Sequence, residues 1–281
     1  MKDYITHFLA LGWSPTLYLS NKALTNKTLF DCLPKVLYQP EYSVRNADVV
    51  FLAGTDWNSF LPLQSNQKQV INLVQHVRHG DPDNPLFQFL KEPAIRLCVS
   101  EAVKNAIEPH ANGPCHVITM GHRFENIPNQ PIRDVYILAN KQPELGLAIS
   151  AWLESMRISV LIHTNTQEHI DVIKAMSSSR VTVALPHHTE GFYLPGIEAM
   201  YYSHMAVIPN CIANKEYFNK YANILMPDYD LKSIKKALLQ SLNYSKTNVL
   251  IRNWVGKQIV RRYTLDNERA QLSKCLKQYF E

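Results

Sequence analysis

The chain has little glycine, no long apolar run and no closely spaced pair of cysteines. Glycine accounts for nine of 281 residues, while hydrophobic residues make up 46% and charged residues 19%. No stretch approaches the roughly 18 consecutive apolar residues of a membrane span. The sequence therefore predicts a soluble globular protein without a transmembrane segment, with enough core for one large or two ordinary domains.

The cysteines and the amino terminus both bear on the compartment. The five cysteines lack the short paired spacings of metal and redox sites, and they are Cys32, Cys98, Cys115, Cys211 and Cys275. Unpaired, scattered cysteines favour a reducing compartment. Asp3 and a short apolar run at the amino terminus predict no signal peptide. We therefore expect a cytoplasmic protein.

The net charge is mildly basic. A formal charge of +5 and an isoelectric point near 8.8 suit an anionic ligand, a nucleic acid or an acidic membrane surface. Ordinary surface lysines give the same balance. The charge alone selects none of these interpretations.

Short apolar runs alternate with helical patterns along the whole chain. Rich in valine, isoleucine and leucine without strict alternation, they predict buried parallel strands. In the first half they span 14–20, 47–54, 69–76, 94–100 and 115–121; in the second half, 135–140, 157–165, 180–186, 205–210 and 223–227. The predicted class is α/β, in two similar halves.

A polar, proline-bearing segment separates the two halves and predicts a linker. We expect two Rossmann-like domains facing across a cleft. Their predicted bounds are 1–125 for a reduced first domain, 126–133 for the linker, 134–262 for the second domain and 263–281 for a closing helix. Apolar residues at helical spacing along this last segment predict packing.

The stretch PHHTEGFYLPGIEAM at 186–200 uses two of the scarce glycines around a proline. Pro195 is suited to the first turn of a helix, while Gly191 and Gly196 permit a close approach to the backbone. The amides at a helix start favour an anion such as phosphate. Glu198, one turn into the helix, is suited to a vicinal diol, with Glu190 at the other end of the same ligand.

EGFYLPGIEAM resembles the E-x7-E signature of retaining GT-B glycosyltransferases of the group-one or family-four type. Similarity extends over 95–107, 115–125, 205–218 and 222–238. The resemblance implies a GT-B fold whose closing helix can cross back to the first domain. It also implies a hexosyl- or pentosyltransferase that moves sugar from a nucleotide diphosphate sugar to a hydroxyl of a glycan, lipid or small molecule.

The resemblance also assigns residues to the donor. It implies that Glu190 contacts the donor sugar, that the amides of Gly191 and Phe192 lie against the sugar and diphosphate, and that Glu198 holds the ribose hydroxyls. His76, after an apolar run of the first half, corresponds to a histidine that such enzymes place beside the transferred sugar. The nucleotide sugar is a co-substrate, and no other cofactor is expected.

The family supplies an arginine and a lysine for the leaving phosphate, and this chain departs from that pattern. Asn140 stands at the arginine position and Leu145 at the lysine position. Lys141 is then the nearest cation for a catalytic role. The further donor-binding candidates are Asn140, Arg123 and Lys215. Fixed positive groups matter there because negative charge grows on the phosphate as the bond breaks.

On the acceptor side, Asp56, Trp57 and Arg78 follow predicted strand ends and combine a stacking face with hydrogen-bonding groups. Asp81 and Asp83 have the spacing of a metal motif, but the prolines beside them favour a turn, so we expect no metal. Two alternatives stay open: a DNA glycosyltransferase acting on a modified base, and a non-catalytic sugar-nucleotide-binding or accessory protein. The sequence does not indicate the sugar, the nucleotide or the oligomeric state.

Overall fold

The computed structural model describes residues 2–19, 37–39, 41–63 and 68–280. Cys32 and the last residue of the strand predicted over 14–20 lie outside this part of the chain. Each of the ten predicted apolar runs overlaps a strand, and all of these strands are parallel to their neighbours. One further short strand, Leu37–Gln39, was not predicted.

The first half is built on a parallel sheet with a smaller parallel pair beside it. The pair is β1 (Thr16–Tyr18) and β2 (Leu37–Gln39), and the sheet is β3 (Val49–Ala53), β4 (Gln69–Val74), β5 (Ile95–Cys98) and β6 (Cys115–Val117), in that order. Helices α1 (Lys2–Ala10), α2 (Trp57–Phe60) and α3 (Glu101–Ile107) accompany it. Helix α3 begins where the Ser100 hydroxyl accepts a hydrogen bond from the Val103 amide, the usual N-terminal cap.

The second half has a parallel sheet in the order β11-β10-β9-β7-β8. Its strands are β7 (Arg133–Leu138), β8 (Val160–His163), β9 (Ser179–Ala184), β10 (Met205–Val207) and β11 (Ile224–Leu225). The chain runs from β7 to β8 on one side and then returns to place β9 on the other side of β7. This reversal is a topological switch point, and ligands of open α/β sheets bind beyond the carboxyl ends of the strands there.

Helices cover this second sheet and link it back to the first half. They are α4 (Pro143–Ser155), α5 (His169–Ser177), α6 (Leu194–Tyr202), α7 (Leu231–Leu242), α8 (Lys246–Val260) and α9 (Leu265–Phe280). Pro195 lies in the first turn of α6, as predicted. Within the described ranges, no helix combines the length and apolarity that a bilayer crossing requires.

Helix α9 crosses back and packs on the first half. The Tyr279 hydroxyl lies 2.7 Å from Nε2 of His116, and Oε1 of Gln271 accepts a hydrogen bond of 3.0 Å from the Thr119 amide. Phe280 meets Trp13 edge to face. Apolar side chains of both sheets and of α9 form one continuous core. The predicted crossing is thus confirmed, whereas the exact domain bounds stay predictions.

Candidate functional site

The candidate site lies at the switch point of the second sheet, where it meets the first half. The loop 186–193 joins the carboxyl end of β9 to helix α6, and Lys141 follows the carboxyl end of β7. Glu190 of this loop pairs with His76, which follows β4 of the first sheet, as an isolated antiparallel bridge. Residues beyond the carboxyl ends of both sheets are therefore in contact.

Glu190 is buried at this junction and forms an ion pair with a lysine. It is 6% exposed, and its Oε1 accepts a hydrogen bond from Nζ of Lys141 in an ion pair. The same Nζ lies 5.3 Å from the centre of the Tyr193 ring, on which the ammonium is held by the electrostatic attraction of the aromatic face. Two predicted catalytic residues, Glu190 and Lys141, are thus brought together.

Tyr193 is a residue of this cluster that the sequence did not single out. Its ring is buried, and its hydroxyl has no hydrogen-bond partner among the described residues. Burial, together with the nearby Glu190 carboxylate, raises the Tyr193 pKa well above its usual value. The phenol therefore stays neutral and is available as a donor.

His76 contributes a neutral imidazole to the same junction. Burial lowers its pKa, the charge of Arg78 lowers it further, and Glu190 opposes these effects only in part. His79, three residues on, is more deeply buried and its pKa falls to about 4. Both rings are therefore uncharged near neutral pH, which suits a hydrogen-bonding role better than an electrostatic one.

The two glycines of the loop are needed, but the groups that approach them belong to the protein. A Cβ at Gly191 would overlap the carbonyl oxygen of Gln75 and crowd Val103, both in the first half. A Cβ at Gly196 would overlap the hydroxyl of Tyr217. Gly191 therefore lets the two halves meet, and Gly196 seats a buried phenol. The close approach that the glycines permit is made by the protein itself, whereas the role of the Gly191 amide toward a donor stays a prediction.

Gly196→Ala is expected to lower the free energy of unfolding by about 1–3 kcal/mol, the cost of overpacking a core, despite the better helix propensity of alanine. Tyr217 is fully buried and its hydroxyl donates to the Tyr193 carbonyl, so the ring has no room to withdraw. Urea denaturation measures the change. In a Tyr217→Phe background the same substitution should cost less; an equal cost would show that the hydroxyl is not the obstacle.

Glu198 is buried and contacts two histidines, of which His122 is partly buried and His169 is exposed. The carboxylate is 2% exposed, and its Oε1 lies 2.6 Å from Nε2 of His169 and 2.9 Å from Nε2 of His122. Burial acts to raise the Glu198 pKa, but the two imidazoles outweigh it and the net shift is downward. The carboxylate is therefore ionised at neutral pH. His122 and His169 were not found from the sequence.

The His122, His169 and Glu198 cluster contains ligand types that zinc accepts, with the three ligand atoms within 4.8 Å of one another. A tetrahedral zinc site separates its ligand atoms by about 3.4 Å, given bonds of about 2.1 Å. Both nitrogen to oxygen distances are shorter than this and converge on a single carboxylate oxygen. The arrangement is that of an anion paired with two imidazoles.

Stability should depend on pH through this cluster. The hydrogen bond to Glu198 raises the His169 pKa above 6.5, so the stabilisation is complete below 6.5 and is lost as pH rises through the raised value. The lowered Glu198 pKa gives stabilisation that is complete above 4.5 and is lost as pH falls through the lowered value. Both contributions to stability are therefore complete between pH 4.5 and pH 6.5.

We therefore expect His169→Gln to reduce the free energy of unfolding more at about pH 5.5 than at about pH 8.5, because only the protonated imidazole gains from the ion pair. Denaturant titrations of both proteins at the two pH values measure the difference. The other histidines are present in both proteins, so their contribution to the pH dependence of unfolding is removed when the variant is compared with the wild type. A cost independent of pH would contradict the ion pair.

The remaining donor-side predictions fall around these clusters. Phe192 is buried and its ring packs against Tyr217 and Tyr263. Asn140, Arg123 and Lys215 are exposed: the first precedes Lys141, the second follows His122, and the third lies in a short turn, Ala213–Glu216. The next residue, Glu216, accepts a hydrogen bond from the Ala102 amide at the start of α3. That turn therefore also touches the first half.

On the acceptor side, one prediction is wrong. Trp57 is 1% exposed, its ring stacks on Phe89, and the Arg96 guanidinium lies 5.9 Å from its centre, so it presents no face to an acceptor. Asp56 accepts a hydrogen bond from the Ala53 amide at the end of β3. Arg78 is exposed, two residues from His76.

The predicted turn at Asp81 and Asp83 is present. Oδ1 of Asp81 accepts a hydrogen bond from the Asp83 amide, and the Asp81 carbonyl accepts one from the Asn84 amide. The first carboxylate is thus engaged in shaping its own loop. This local bonding accounts for the spacing of the two aspartates.

No family model matches the chain, and no curated protein matches it in sequence. Solved structures share its fold. HepE of Anabaena, in complex with UDP, has a TM-score of 0.69 at 10% identity, with 99% of this chain and 96% of that chain covered. A glycosyltransferase from Rickettsia africae scores 0.67 at 11% identity, with 99% and 92% covered.

A third structure, a DNA-modifying β-glucosyltransferase determined with and without uridine diphosphoglucose, has a TM-score of 0.59 at 9% identity and covers 98% of this chain and 92% of that chain. At such low identities the similarity establishes the fold alone. The architecture is GT-B, with two Rossmann-like domains, as the sequence predicted.

Proposed function

We propose that the protein is a retaining glycosyltransferase that moves a sugar from a nucleotide diphosphate sugar to an acceptor hydroxyl without a metal ion. One observation carries the proposal: a buried glutamate and a lysine meet beyond the carboxyl ends of adjacent strands, at the switch point of a GT-B fold. In open α/β sheets this is where ligands bind. The E-x7-E resemblance at the same loop supports it.

The donor is oriented by the two glutamates. We assign Glu190 to the sugar hydroxyls, the amides of Gly191 and Phe192 to the diphosphate, and Glu198 to the ribose. Both histidine contacts of Glu198 use Oε1, and the Lys141 contact of Glu190 also uses Oε1. The Oε2 atom of each carboxylate is the one that we assign to a hydroxyl of the donor.

Lys141 changes partner when the donor binds. Without ligand it neutralises Glu190, and the diphosphate, with its greater negative charge, then attracts the same ammonium. As the bond from the sugar to the diphosphate breaks, charge grows on the leaving oxygen, and Lys141 stabilises it. The acceptor hydroxyl forms the new bond on the same face of the sugar, and its proton passes to the leaving phosphate.

Incubation with a panel of nucleotide sugars tests the proposal. The purified protein should slowly release nucleoside diphosphate from at least one uridine, guanosine or adenosine diphosphate sugar, because water can replace the acceptor. Glu190→Gln, which leaves the shape of the site intact, serves as the matched control and should release less. Binding without release would favour the accessory or non-catalytic alternative, and the absence of binding would contradict the proposal.

A modified base in DNA is the second candidate acceptor, and it is favoured by the similarity of fold to the DNA-modifying β-glucosyltransferase. A gel-shift assay with duplex DNA separates this candidate from a glycan, lipid or small molecule. Binding that weakens steeply with salt would support DNA, since counterion release governs such complexes. The acceptor would then be sought among modified bases.

A further inference from the structure

Helix α8 presents a large apolar surface to solvent. Leu250, Ile251 and Trp254 are 70%, 58% and 65% exposed. They lie on one side of the helix, while Gly256 and Val260 on the other side are buried. Scattered exposed apolar residues are normal, but three large ones on one helical face mark an interaction surface.

Basic residues flank this apolar centre along the same row of the helix. Lys246 lies four residues before Leu250, and Lys257 and Arg261 lie three and seven residues after Trp254, so all of them share the row. All three are exposed. We call this surface the α8 face: Lys246, Leu250, Ile251, Trp254, Lys257 and Arg261.

The basic charge of the chain is concentrated in the stretch of sequence that contains this helix. Residues 231–265 contain eight of the 29 lysines and arginines and none of the 24 acidic residues, which leaves 21 basic against 24 acidic residues elsewhere. The rest of the sequence is therefore slightly acidic, and the net positive charge of the chain comes from residues 231–265. Such asymmetry favours a negatively charged partner.

A loop packs against α8 on the side of the helix that carries Arg252. Arg252 donates hydrogen bonds of 3.0 and 2.9 Å to the carbonyls of Lys220 and Ala222, which fixes the loop against α8. Tyr221, between these two anchors, is 63% exposed, and the Lys220 ammonium lies over its ring. Because Arg252 is two residues from both Leu250 and Trp254, it lies on the other side of the helix, and this loop is separate from the α8 face.

We propose that the α8 face docks the protein on the surface of a bilayer that contains anionic lipids. A helix that lies in the membrane interface inserts tryptophan and aliphatic side chains among the acyl chains and places lysine and arginine among the headgroups. The α8 face has this order, with an apolar centre and basic ends. Its length, about 22 Å for 15 residues, lies parallel to the bilayer.

Two other partners fit less well. Nucleic acid would pair with the cations, but leucine and isoleucine have no flat face on which its bases could stack. Their side chains would therefore add nothing to the affinity for nucleic acid. A second copy of the chain would cover the apolar centre but would bring the basic ends of two α8 faces together, which is unfavourable. An anionic bilayer satisfies both parts of the surface.

Vesicle co-sedimentation without any nucleotide sugar tests the proposal independently of the proposed function. The wild-type protein should bind phosphatidylcholine vesicles containing phosphatidylglycerol and should not bind vesicles of phosphatidylcholine alone. Each of Lys246→Gln, Lys257→Gln and Arg261→Gln should weaken binding roughly fivefold. Leu250→Ser with Trp254→Ser should weaken it at least about tenfold.

Leu147→Ser is the matched control, since Leu147 is a leucine 54% exposed on a different helix, α4. It should bind vesicles as the wild type does, and thermal melts should confirm that all variants are folded. Loss of binding in the control, or absence of vesicle binding by the wild type, would overturn the proposal. So would duplex DNA binding tighter than vesicle binding, or a dimer that Trp254→Ser dissociates.

Discussion

Lys141→Met is expected to lower the turnover number for nucleoside diphosphate release by about 100- to 1,000-fold, the usual cost of removing one fixed donor from a developing anion. The ammonium is the cation that the structure brings to Glu190 beyond the end of β7. Because the charge on the leaving phosphate is largest in the transition state, the loss should fall on kcat more than on KM. Steady-state assays with the donor identified from the panel measure both.

Three controls separate catalysis from stability. Lys141→Arg retains the charge and should recover part of the rate, whereas Lys236→Met removes an exposed lysine of α7 and should have no effect. The double variant Lys141→Met with Glu190→Gln avoids a buried carboxylate without its cation and should stay as slow. A rate for Lys141→Met within about threefold of the wild type would exclude the lysine from the reaction.

Glu198→Gln is expected to weaken donor binding by about 10- to 150-fold, the equivalent of the about 1.5–3 kcal/mol of a charged hydrogen bond. The ionised carboxylate accepts strongly from ribose hydroxyls, and an amide of the same shape does so weakly. Calorimetric titration with the nucleoside diphosphate measures the change. A second titration uses the 2′-deoxynucleotide, which lacks one ribose hydroxyl. The wild type should bind it more weakly than the ribonucleotide, and Glu198→Gln should bind both equally.

Stability must be measured beside affinity because Glu198 is buried between His122 and His169. Unfolding at about pH 8.5, where less of the His169 imidazole is protonated, should show a smaller cost for Glu198→Gln than unfolding at about pH 5.5. His169→Gln leaves the carboxylate in place and is the matched control for binding. If Glu198→Gln binds the nucleotide as the wild type does and still discriminates, the ribose role is wrong.

The sequence was sufficient for the strand framework and for the position of the central loop. Apolar runs of five to nine residues that are rich in valine, isoleucine and leucine are typical of buried parallel strands, so composition alone indicated their packing. Pro195 and its flanking glycines likewise indicated a strand-to-helix turn. These features are local, and local chemistry decides them.

The contacts that complete the site are not local, and the sequence could not supply them. Gly191 indicates that something comes close, but only the fold identifies it as Gln75 of the other half. His122 and His169 meet Glu198 from separate parts of the chain. Trp57 was misassigned because a tryptophan after a strand can face in either direction, and here Phe89 and Arg96 hold it inside.

The location of a bound nucleoside diphosphate is the most direct test of the central claim. A crystal structure of the complex should show the pyrophosphate against residues 190–193 with Nζ of Lys141 within hydrogen-bond distance, and the ribose hydroxyls on Glu198. The contradictory result would be a nucleotide bound elsewhere, with Lys141 still paired to Glu190 and neither carboxylate in contact with the ligand.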